Sequence, residues 1–128
     1  MTSTERAYVL QWIDKGSDDL LVAKMIIEQN VPVLDVACFH IQQAVEKFFK
    51  AFLIAKKEEF PKTHNLDYLK VLCIRHDASF AAFEVGDLEN YAVRNRYPHD
   101  YDLPDPAEVK RLYDLGVTIR QFVQDLLN

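Results

Sequence analysis

The stretch Tyr91–Tyr101 (YAVRNRYPHDY) gathers two arginines, one histidine and three tyrosines into eleven residues. Arg94 and Arg96 suit a phosphate, because the planar guanidinium fork can hold two oxygens at once. His99 can take and give a proton near neutrality. The spacing is Arg94-x4-His99-x-Tyr101, and Pro98 should end whatever helix carries Arg94. A plainer reading stands beside this one: cations gather at a helix C-terminus because they suit the negative end of its dipole. Composition alone favours the plainer reading, and what shifts the balance lies elsewhere in the chain.

Helical elements must position these residues. Thr2-Ser3-Thr4-Glu5 has the capping-box form, so Thr2 or Ser3 can open a first helix. Val9, Trp12, Ile13, Gly16, Leu20, Ala23 and Ile27 then recur at three- and four-residue steps, the period of one helix face. Gly16 lies on that stripe, where a missing side chain suits a close approach between helices. This helix is predicted to end near Asn30, before Val31-Pro32. Asp35 is read as the cap of a second helix reaching about Lys57. It is apolar on more than one side and should be central in a bundle or shared with another subunit.

Gln43, Glu46, Lys47 and Lys50 form a polar row on this second helix. By itself that row reads as a solvated face with a Glu46–Lys50 ion pair. His40 beside it reads as structural. Lys56–His64 is a polar link broken by Pro61, and His64 is expected to fix the link through a hydrogen bond. Asn65 should cap a third helix. A fourth is predicted from Ser79 through Phe80, Phe83, Leu88 and Tyr91 to about Asn95. The last is announced by Asp105 as cap, Pro106 at the first helical position and Glu108 three residues after the cap.

Residues 1–128 therefore read as a single all-α domain of about five helices, an up-and-down four-helix-bundle-like arrangement. With 128 residues and 49% apolar composition there is enough to build one core. A formal charge of −5 argues against a broad grip on nucleic acid, which needs a basic face, but leaves room for a small basic pocket. Cys38 and Cys73 form no metal-ligand spacing and read as buried reduced thiols. No metal set, Gly-rich phosphate loop or apolar run of membrane-spanning length occurs. The N-terminus has no signal-peptide character, so a soluble, cytoplasmic protein without metal or other cofactor is expected.

Three segments together resemble the HEPN family (higher eukaryote and prokaryote nucleotide-binding domain). They are Trp12 with Asp19-Leu20-x2-Ala23; Gln42-Gln43-Ala44-Val45-Glu46-Lys47-x2-Lys50-Ala51; and Thr63-His64-Asn65-Leu66, followed by Arg94-Asn95-Arg96-Tyr97-Pro98-His99. In order and spacing they cover almost the whole chain. The resemblance implies an all-α bundle that dimerises. It also implies a metal-independent ribonuclease site on an R-x4-6-H motif, here Arg94, Asn95 and His99. Many members are toxins paired with a minimal nucleotidyltransferase (MNT) antitoxin, and a subset carries a tyrosine two residues after the histidine that the antitoxin modifies with adenylate. Tyr101 holds that position. The RYP signature fixes Arg96 and the R-x4-H spacing fixes Arg94, so both stay candidates for the working arginine. Part of the RYP-bearing branch has Asp or Asn where this chain has His99.

RNA needs no metal to be cut, because its 2′-hydroxyl is an internal nucleophile. His99 can act as base on that hydroxyl or as acid on the leaving oxygen. Arg94 can hold the non-bridging oxygens more tightly as charge builds. A two-fold dimer would bring two copies of each residue into one cleft, for which the aromatic side of the second helix and the fourth helix are the expected contact surface. Asn95, Arg96, Tyr97 and Tyr101 are candidates to bind or stack on RNA, and Glu46 and Lys50 to orient Arg94. The alternative is a non-catalytic HEPN module that binds a nucleotide or docks onto a nucleotidyltransferase.

Overall fold

A computed structural model describes residues 1–96 and 104–128, the side chains of 92–96 excepted. Five α-helices appear in it: α1 (Ser3–Glu28), α2 (Leu34–Ala55), α3 (Leu66–His76), α4 (Gly86–Arg96) and α5 (Pro106–Leu127). A 3-10 turn, Ala78–Ala82, lies between α3 and α4. Among the described residues there is no strand, and no helix is long and apolar enough to cross a membrane.

Local chemistry sets three of the helix starts. Thr2 Oγ1 accepts from the Glu5 N–H at 3.0 Å, Asn65 Oδ1 from the Tyr68 N–H at 3.0 Å, and Asp105 Oδ1 from the Glu108 N–H at 2.8 Å. Each satisfies a donor that the first turn leaves without a partner. Pro106 opens α5 without losing a bond, since its position needs no N–H.

Two sequence expectations are corrected. α2 begins at Leu34 after Val33, which makes no side-chain cap, and Asp35 falls inside the first turn. There its carboxylate suits the positive end of the helix dipole without capping. The single helix expected from Ser79 is instead the 3-10 turn followed by α4. The Asp77 side chain accepts from the Ser79 N–H at 2.9 Å and starts a tight turn. That turn lays Phe80 into an aromatic cluster with Phe52, Phe122 and Phe49, at ring-centroid distances of 4.6, 5.1 and 5.8 Å. Burying Phe80 decides the local backbone here, and the helical period of the sequence does not.

α2 is the axis of the molecule and packs against each of the other four helices. Phe48, Phe49 and Phe52 are buried in the chain's own core, together with Ile41, Val45 and Leu53. Its aromatic side is therefore consumed within the monomer, and the expected use of that side as dimer contact does not hold. α1 and α2 approach closely at Gly16, where an added Cβ would sit 2.5 Å from Phe48 Cε1. Gly116 does the same for α5, with Leu20 Cδ2 3.0 Å from the position of its Cβ. Cys38 and Cys73 are unpaired and buried, and burial pushes both thiols up to about 12.

Candidate functional site

The core of α2 is interrupted by one polar stripe. Gln42, Glu46 and Lys50 succeed one another at four-residue steps and are 1%, 3% and 7% exposed. The solvated face expected for the row is confined to its margin, where Gln43 and Lys47 are half-buried. Burying an amide, an acid and an ammonium is costly unless each is paired, and among the described residues no buried side-chain N or O lacks a partner.

The partners come from three elements. Glu46 Oε1 lies 2.7 Å from His64 Nδ1, and Glu46 Oε2 lies 3.9 Å from Lys50 Nζ. Gln42 Nε2 donates to the backbone carbonyl of His64 at 3.1 Å. Lys50 Nζ also stands 5.8 Å from the ring centroids of both Trp12 and Phe60, whose faces favour a cation. An ionised carboxylate can only accept, so His64 Nδ1 must carry the hydrogen that points at Glu46. The imidazole itself is open to water, its side chain 58% exposed against 4% for Glu46.

α4 joins this cluster through Glu89. Its two carboxylate oxygens lie 3.3 and 3.4 Å from the Leu66 N–H, two residues after His64. Burial pushes the Glu89 carboxyl above the usual carboxylate range, the Leu66 N–H pulls it back, and the charges of Asp67 and Glu46 add to the rise.

A second cluster lies between α1 and α2. Asp19 Oδ1 is 2.9 Å from His40 Nδ1, and Asp19 Oδ2 is 2.5 Å from Lys47 Nζ. His40 is thus a structural clasp, as the sequence suggests. Nearby, an open groove of about 590 Å³ is lined by Tyr8 and Trp12 with two lysines (Lys15, Lys47) and two aspartates (Asp14, Asp18). Its charges balance, so it offers no net attraction to a phosphate.

Arg94, Asn95 and Arg96 fall in the last turn of α4. Their side chains, and all of Tyr97, His99 and Tyr101, lie outside the described residues. Of the predicted site residues, Glu46 and Lys50 are brought together, on the buried stripe that faces the His64 link. The hydrogen bond expected of His64 is present, but its partner was not foreseen. A signal for it existed: Glu46 stands in the apolar run Ala44-Val45-Glu46-x-Phe48-Phe49, and a buried acid needs a cationic or N–H partner. Nothing in the sequence pointed to Glu89.

The comparisons with known proteins agree on the fold. The HEPN domain family model matches residues 9–126. The crystal structure of an archaeal HEPN homologue superposes with a TM-score of 0.65 at 22% identity, covering 94% of this chain and 98% of that one. No curated protein matches.

Proposed function

The chain belongs to the HEPN family, and from that premise we propose that it is a metal-independent RNA endonuclease acting through Arg94 and His99. The observation that supports this reading is where the Arg94-x4-His99 motif starts. Arg94 is in the last turn of α4, and Glu89, on the same helix, is bound to the backbone beside the His64–Glu46 pair. The motif thus begins on the helix that also carries Glu89 of the buried polar cluster.

In the proposed reaction the 2′-oxygen attacks the adjacent phosphorus, and the bond to the 5′-oxygen breaks. The products are a 2′,3′-cyclic phosphate and a 5′-hydroxyl. Arg94 binds the non-bridging oxygens, where negative charge grows in the transition state. His99 moves a proton. The acting species is a two-fold dimer whose cleft collects both copies of the motif. Asn95, Arg96, Tyr97 and Tyr101 bind the RNA strand, and Tyr101 is also where a partner nucleotidyltransferase of the MNT type silences the enzyme. The tyrosine oxygen attacks the α-phosphorus of ATP, pyrophosphate leaves, and the bound adenylate sets bulk and negative charge against Arg94.

Purified protein incubated with RNA in EDTA tests the nuclease. Cleavage to 5′-hydroxyl ends, lost in Arg94→Ala and His99→Ala and absent on DNA, is the expected result. Intact RNA with a folded protein that binds a nucleotidyltransferase would replace this reading by that of a non-catalytic HEPN adaptor. Mass spectrometry after co-expression with such an enzyme tests the silencing: adenylate on Tyr101 is expected, and modification confined to other residues would contradict it.

A further inference from the structure

The outer side of α1 carries a pattern that its core-facing side does not explain. Val9, Ile13, Gly16, Leu20 and Ala23 form the buried row, and α1 packs on α2 and α5. Away from that row, Tyr8, Gln11, Lys15, Asp18, Val22 and Met25 follow one another at alternating three- and four-residue steps. Such spacing keeps the side chains in one line and is the pattern of a seam between two helices. All six residues are exposed, Tyr8 at 49%, Val22 at 38% and Met25 at 50% among them. α1 runs unbroken from Ser3 to Glu28, so the line is about 26 Å long. Its ends are apolar and its middle is a lysine with an aspartate. No ion pair among the described residues engages Lys15 or Asp18, whereas the neighbouring Asp19 is taken by His40 and Lys47. The open groove of about 590 Å³ lies on this side of α1, with Tyr8, Gln11, Lys15 and Asp18 in its wall.

The line is complementary to itself. A second α1 laid antiparallel, with a two-fold axis between Gly16 and Ser17, sets Lys15 against Asp18, Gln11 against Val22 and Tyr8 against Met25 of the other copy. Two-fold symmetry makes each contact twice. Opposite charges meet at the centre, and at each end an aromatic ring meets a thioether, a favourable contact. Sliding the copies by one heptad sets Lys15 against Met25 or Gln11 and leaves both charges without partners, so the charges fix the register. The whole chain carries −5, and two copies repel except where charge is cancelled locally. The two lysines and two aspartates of the groove cancel it here. We propose that α1 is a contact between two copies of this chain, packed antiparallel along the Tyr8–Met25 line. Val22 and Met25 of each copy enter the groove beside Tyr8 of the other. The seam is independent of the ribonuclease reading, none of whose catalytic residues is among the six.

Sedimentation equilibrium of the full chain tests the seam by exchanging its central charges. Lys15→Glu sets two acids against each other at both central contacts, and Asp18→Lys sets two lysines. Both positions are exposed, so circular dichroism should show the helix content unchanged. Wild type should sediment as a dimer at micromolar concentration. Each variant alone should raise the dimer Kd by about tenfold to a hundredfold, because like charges are held together. An equimolar mixture of the two should recover wild-type association, since the new acid of one chain then faces the new lysine of the other. Met25→Asp removes an apolar end of the line and should weaken the wild-type dimer and the mixed one alike. A monomeric wild type overturns the proposal and leaves the line to a helix of a different protein. A dimer that neither variant weakens, or that the mixture fails to restore, also overturns it and puts the contact on another face. The measurement uses no RNA, so a failed charge exchange counts against the seam alone and uncut RNA against the ribonuclease reading alone.

Discussion

His40–Asp19 and His64–Glu46 are the same chemical pair on either flank of α2, built in opposite senses. In the first, acid and base are both half-covered, at 14% and 28% exposure, and the acid is shared with Lys47. In the second, the acid is buried and the imidazole faces water. Both ends of the first pair can regain water if it breaks, so it acts as a clasp between α1 and α2. The second cannot break cheaply from the inside, because Glu46 would be left beside Lys50 with its charge poorly solvated. Burial of the carboxylate therefore makes His64 a fixed, outward-facing group, whereas sharing of the carboxylate makes His40 an internal tie.

Removing each acid gives the largest effect on this contrast. Glu46→Ala strands the buried Lys50 ammonium and should cost about 3–5 kcal/mol in urea unfolding. Asp19→Ala leaves Lys47 and His40 able to reach water and should cost about 1 kcal/mol. Equal losses would break the comparison. Gly16→Ala acts on the clasp alone. The new methyl would meet the Phe48 ring at 2.5–3.0 Å, and that ring is fully buried. Unfolding should show a loss of about 1–3 kcal/mol, and NMR should show His40 shifted while His64 is unchanged. A shift at His64 would mean that the two flanks are coupled.

The smallest effect is at Glu89, whose carboxyl burial holds above its usual range. A folded-state value above the unfolded one means that the folded state binds the extra proton. The associated stability is present below the unfolded value and is lost as pH rises through the folded one. Glu89→Gln keeps an oxygen for the Leu66 N–H and removes the charge. It should be more stable than wild type at neutral pH, with the gap closing as the pH falls through the raised folded value towards the ordinary unfolded one. A gap independent of pH would point to packing instead of charge.

Much of this architecture is legible in the sequence because capping and helical period are local. Thr2, Asn65 and Asp105 each cap a donor three residues away, and Gly16 announced the close approach of α1 and α2. What was not legible depends on residues far apart. The break between the 3-10 turn and α4 follows from Phe80 packing against Phe122, which is 42 positions later. The polar row of α2 resembles a surface stripe until the Lys56–His64 link and α4 are laid over it. His64, 18 residues from Glu46, becomes a presented imidazole only in the folded chain. Family resemblance supplied the Arg94–His99 motif and includes His64 in a matching segment, but not the pairing of His64 with Glu46.

The most direct measurement is expression of the wild type and of His99→Ala, each alone, followed by growth curves and sequencing of cellular RNA 5′ ends. The account predicts arrest with new 5′-hydroxyl ends for the wild type, and neither for His99→Ala at equal level and fold. Normal growth with intact RNA in cells that hold the folded wild-type protein would contradict it.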